Sequence, residues 1–164
     1  MTSQRLDQEG GRAGESQILC PSAQPDQANA VVFGVQTVRP DAERPDRERR
    51  VGYLTALQPV TPEVLALSGE AKPTEVLRIA APCVERGCRH FDGAACALAG
   101  RVVEMLNPVV SGLPRCQIRP TCRWFRQEGK AACLRCPQIV TDIREPTELQ
   151  ERVAAGLISE PRLG

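Results

Sequence analysis

Two runs of sequence decide how this chain reads. They are Cys83-Val84-Glu85-Arg86-Gly87-Cys88-Arg89-His90-Phe91-Asp92-Gly93-Ala94-Ala95-Cys96 and Cys116-Gln117-Ile118-Arg119-Pro120-Thr121-Cys122-Arg123-Trp124-Phe125-Arg126-Gln127-Glu128-Gly129-Lys130-Ala131-Ala132-Cys133-Leu134-Arg135-Cys136. Together they hold seven of the eight cysteines and the only histidine, at intervals of x4, x7, x19, x5, x10 and x2. Both runs go Cys, a short gap, Cys-Arg-aromatic-Phe, a glycine-containing turn, then Ala-Ala-Cys. The second has one extra residue in its first gap and three extra between Phe125 and Cys133. Shared order and chemistry over so many positions predict two similar structural units, 83–96 and 116–136.

Such a unit makes sense around a thiolate-bound metal. Alanine before the last cysteine lets backbone approach closely, and glycine permits a sharp return of the chain. Phe91 and Phe125 can shield sulfur from water, which bears on the lifetime and potential of an iron–sulfur cluster. The first unit supplies Cys83, Cys88 and Cys96; the second supplies Cys116, Cys122 and Cys133, with Cys136 as a fourth. His90 stands where the second unit has Trp124, in the unit that lacks a fourth cysteine, and is therefore its candidate extra ligand. Cys20, before Pro21 and far from the others in sequence, reads as a free surface thiol.

Thiolate-rich sites suit zinc or iron–sulfur clusters. Structural zinc sites show two short C-x2-4-C pairs, and only Cys133-x2-Cys136 fits that spacing well. Cys136-Pro137 resembles the Cys-Pro that closes bacterial ferredoxin ligand runs, and the doubled unit is similar to two-cluster ferredoxins, in which a fourth cysteine crosses to the other cluster. The resemblance is confined to 83–136 and lacks the dense C-x2-C-x2-C run, so it assigns no ligand to a particular cluster. It implies one or two iron–sulfur clusters, [4Fe-4S] first, with zinc as the alternative. From Cys83 to Cys136, nine Lys and Arg face four acids (Glu85, Asp92, Glu104 and Glu128). These cations suit an anionic cluster or a docking partner, or phosphate contact with base stacking on Trp124 and Phe125.

The expected function is therefore electron transfer, or service as an accessory partner of a redox or radical enzyme, rather than catalysis. The alternative is a zinc-stapled module binding nucleic acid or protein. A third reading is thiol redox chemistry at Cys133-Leu134-Arg135-Cys136, with Arg135 lowering a thiol pKa. Ser-His-Asp catalysis has no support, because the single histidine lies inside the cysteine cluster.

The rest of the chain frames this region. Residues 1–29, rich in Gly, Gln, Ser and Pro, read as disordered. Residues 30–80 read as a small β-rich module. Ala30 to Val38 and Val51 to Leu57 are β-branched, apolar strand candidates joined by a mixed-sign, Pro-broken loop, 39–50. Thr61-Pro62 opens a short helix, with Thr61 as its cap. Pro73 to Ile79 alternates apolar and polar residues, as a third strand would. In the Cys-rich domain, 81–142, Ala94 to Leu106 has a helical apolar face and stops at Asn107-Pro108. In 143–164, Thr147 and Gln150 form a capping box for a final short helix, ahead of frayed residues.

Composition sets the outer limits. The 164 residues carry a net charge of +1, which excludes a globally basic nucleic-acid coat. Aromatics are 3%, so a conventional core is poorly supplied and metal is expected to organise the Cys-rich part. No apolar run approaches the ~20 residues of a membrane span. Met1 to Gln17 lacks the pattern of a secretory signal, so a reducing cytoplasm is expected. The fold class expected is α+β: a small β-rich N-terminal module and a loop-rich, metal-organised domain with one or two helices.

Overall fold

A computed structural model of the chain describes residues 17–38 and 49–155. Its centre is a four-stranded antiparallel sheet ordered β1-β4-β2-β3, from β1 (Leu19–Cys20), β2 (Val31–Val38), β3 (Arg49–Pro59) and β4 (Leu77–Pro82). Short helices pack on it, which makes the protein a small α+β fold.

β2 and β3 form the expected hairpin, β-branched residues fitting a pleated, half-buried surface. Their register slips between Val32 and Gly34, where the strands crowd so closely that a Cβ on Gly34 would overlap Val51. Most of the mixed-sign loop, 39–48, lies outside the described residues. α1 (Pro62–Ala66) starts as expected, Val64 N–H donating to Thr61 Oγ1 at 3.2 Å.

The strand expected over 73–79 is corrected. Pro73 to Val76 form one helical turn, α2, and β4 takes Leu77 to Pro82. Proline presets the first helical φ, and Glu75 Oε2 accepts from the Lys72 N–H at 2.8 Å, so helix wins locally. The disordered reading of 1–29 is also corrected from residue 17 onward. Leu19 and Cys20 pair with Pro82 and Ala81, and Cys83 N–H donates to Ile18 O at 2.8 Å. A two-residue strand is too short to show a period in sequence.

α3 (Ala97–Met105) starts three residues later than its apolar pattern, because Asp92 Oδ1 accepts from the Ala94 and Ala95 amides and holds a turn. The second unit folds as α4 (Arg123–Glu128) and α5 (Lys130–Arg135) where loop was expected. α6 (Glu148–Ala155) carries the expected capping box: Gln150 N–H donates to Thr147 Oγ1, and Thr147 N–H to Gln150 Oε1.

β4 is buried on both faces, which suits a central strand covered from two sides. Leu77, Ile79 and Ala81 pack with Val32, Ala30 and Ala23 on one side. On the other, Phe33 and Ala80 share a core with Ala99, Val102, Ile118, Trp124 and Val153. That core runs across the expected boundary at residue 80, so the Cys-rich segment is packed directly on the sheet. Among the described residues no helix is long and apolar enough to cross a membrane.

Candidate metal centre

All eight cysteines are free thiols, and the fold sorts them into two groups of four. Cys116, Cys122, Cys133 and Cys136 line one cavity, hereafter the second site. Cys83, Cys88 and Cys96 line the other, the first site, and its fourth thiol is Cys20. The surface-thiol reading of Cys20 is thereby corrected. Pairing of β1 with β4 carries Cys20 beside the strand end from which Cys83 emerges. Burial raises its pKa to about 11, and Cys83, Cys96 and Cys88 add to the rise. A signal was present in the sequence: Cys20-Pro21 repeats the Cys136-Pro137 dipeptide, so each group contains one Cys-Pro.

The backbone repeats at the turns but not at the helices: α3 follows the third cysteine of its copy, Cys96, whereas α4 follows the second cysteine of its copy, Cys122. Gly93 and Gly129, the turn glycines of the two copies, both have positive φ, +100° and +68°. A side chain at either would be strained. The three extra residues of the second copy extend its turn into the α4–α5 pair. An arginine lies over each phenylalanine of the motif, Arg123 over Phe91 at 5.5 Å and Arg119 over Phe125 at 5.9 Å.

Backbone amides face the sulfurs in a recurring way. The His90 N–H donates to Cys88 Sγ at 3.4 Å. Amides two residues on likewise lower the pKa of Cys20 (Ser22), Cys96 (Leu98), Cys116 (Ile118) and Cys122 (Trp124). Hydrogen bonds of this kind stabilise thiolate and tune bound clusters. Burial nevertheless dominates, and the pKa of each of these four thiols stands above its ordinary value, Cys122 at about 12. As free thiols at neutral pH they are protonated, so binding metal must release protons.

His90 lines the first cavity together with Cys20, Cys83, Cys88 and Cys96. Its Nδ1 lies 3.0 Å from Arg101 Nη2, which can only donate, so the neutral ring carries its proton on Nε2. Neither nitrogen then offers a free lone pair. Burial, with Arg89 and Arg101 nearby, lowers its pKa to about 4 and keeps it neutral. The first site has four thiols without it. The Arg135 guanidinium donates to Leu106 O and Ala131 O, while burial raises the Cys133 thiol and Arg119 partly offsets that rise. Trp124 is 2% exposed, which removes it as a base-stacking surface.

Trp124 instead lines both cavities, and its indole N–H is buried without an acceptor. Such an orphan donor is costly. Gln127 ties the two units together. Its Oε1 accepts from Cys96 N–H at 2.8 Å and its Nε2 donates to Cys96 O at 2.9 Å. Among the described residues no three His, Cys, Asp or Glu side chains close around one point as ligands of a single ion. Comparison with known proteins finds no family model, curated protein or solved structure that matches this chain.

Proposed function

We propose that this protein holds two [4Fe-4S] clusters and passes single electrons, as a carrier or as the accessory of a redox enzyme. The observation that carries the reading is the sorting of all eight cysteines into two complete sets of four: Cys20, Cys83, Cys88 and Cys96, and Cys116, Cys122, Cys133 and Cys136. Four thiolates are the full ligand set of a cubane. The donors aimed at these sulfurs support it, as do the orphaned Trp124 N–H and the excess of arginine around both sites, because a four-thiolate cluster is a net anion. Phe91, Phe125 and Trp124 limit water, and Trp124 stands between the sites as packed, low-polarity matter for electron passage. Each transfer moves one electron from a low-potential protein donor to a cluster and onward to an acceptor protein, with no bond made or broken.

Anaerobic purification followed by metal analysis tests the reading. Expected are a brown protein, a broad absorption near ~400 nm, and about eight iron with about eight acid-labile sulfide per chain. A colourless protein with stoichiometric zinc and no sulfide overturns it and transfers the site to a zinc-stapled binding module.

A further inference from the structure

Arg78 is wholly buried on β4, at 0% exposure, on the strand face turned toward the cysteines. Its sequence context, apolar residues alternating with polar ones, would ordinarily put an arginine in water. Instead its guanidinium reaches Cys136 Sγ at 3.4 Å and Cys136 O at 3.0 Å. The same group donates twice to Pro21 O, at 2.9 and 3.2 Å, and once to Ile139 O at 3.2 Å. Its carbon stands 5.2 Å above the Phe33 ring. Among the described residues no carboxylate pairs with it.

A buried cation without a counter-ion is expensive. Carbonyl oxygens satisfy its N–H donors, but they do not cancel its charge. The anion that faces it is the thiolate group of the second site. Pro21 follows Cys20, and Cys136 precedes Pro137, so one guanidinium grips the Cys-Pro corner of each site.

We infer that Arg78 is a positioning residue shared by the two clusters: its charge is the built-in counter-ion of the second site, and its fork fixes Cys20 for the first. This rests on the two-cluster reading. A cluster gains negative charge when it accepts an electron, so a fixed cation in contact with one of its thiolates favours the reduced form. Arg78 should therefore hold the potential of the second site above the value its apolar walls alone would give.

The test uses the full chain, loaded anaerobically and reduced stepwise with dithionite while EPR signals are followed. Signals are assigned with Cys88→Ser, which leaves only the second set complete. Iron and sulfide counts on the unaltered protein come first; if it holds neither, the two-cluster reading and this inference fail together, whereas a loaded protein whose Arg78 variants miss the expected shifts overturns this inference alone. Arg78→Met should shift the potential of the second site to more negative values and leave the first nearly in place. Arg78→Lys should recover most of that shift, yet speed cluster loss from the first site several-fold, because one ammonium cannot replace the fork on Pro21 O. An unmoved second-site potential in Arg78→Met overturns the charge assignment. If Arg78→Met does not fold, Arg78→Lys decides: unchanged cluster loss from the first site overturns the shared role. Failure of both variants to fold, even when loaded, also overturns it, since the arginine is then a clamp of the fold alone.

Discussion

The two four-cysteine sites are built from the same motif and differ in their walls. The second site sits against the sheet, lined by Phe33, Tyr53 and Ile118, and its cavity of about 20 Å³ must widen to take a cluster. The first opens into a cleft of about 700 Å³ that takes in polar residues such as Ser22, Asp26 and Asp142. The ligand chemistry is equal, but the second site is drier and has Arg78 behind it. In sequence, the second site draws its four thiols from 116–136, while the first needs Cys20, brought in by a two-residue strand. One motif used twice thus gives a narrow site with apolar walls and a wider one with partly polar walls.

The most severe way to break the comparison is to remove what the sites share. Trp124 is fully packed in the common core, so Trp124→Ala should cost about 3–5 kcal/mol of stability. Both clusters should be lost together on purification, with far-UV circular dichroism and iron counts as the readout.

The difference in walls is sharpened by chelator. On exposure to an iron chelator or to air, bleaching should be biphasic, with about half of the iron leaving several-fold faster. The fast phase should be absent from Cys88→Ser, in which the first site is already disabled. A single phase in the unaltered protein would mean that the two walls protect equally.

Titration gives the next effect. In the metal-free chain the Cys20 thiol is raised from 9.0 to about 11 and Cys122 from 9.0 to about 12, both chiefly by burial. A thiol whose pKa is higher in the folded state favours folding fully below pH 9 and loses that contribution as pH rises through the folded value. Metal-free protein should therefore lose stability from about pH 9 to 12, read by urea unfolding, whereas loaded protein, already deprotonated at these sulfurs, should be nearly flat.

The smallest effect is selective. Gln127→Ala removes both bonds to the Cys96 backbone, at about 1 kcal/mol each. It should speed bleaching of the first site modestly and leave the second unchanged.

Much of this was legible in sequence, for physical reasons. The hairpin, the α1 cap, the α6 capping box and the doubled unit all rest on local patterns, and Thr61, Thr147 and the two glycines act on their own neighbours. What was not legible depends on distance along the chain. Cys20 joins Cys83 through sheet pairing alone. Arg78 looks like an ordinary outward polar residue until the second unit covers that face of β4. His90 was singled out by its place in the repeat, but Arg101, eleven residues on, sets its hydrogen bonding. The α4–α5 pair was hidden because its apolar residues are interleaved with cysteines that serve the site.

The most direct test of the central claim is iron and sulfide per chain in Cys20→Ser beside Cys122→Ser, each purified anaerobically with the unaltered protein. The account predicts about eight iron in the unaltered chain and about four in each variant, with the Cys20→Ser cluster retaining the slow bleaching of the second site. A full complement in Cys20→Ser, with unaltered spectrum and bleaching, would contradict it, because the first site would then be complete without the thiol that β1 delivers.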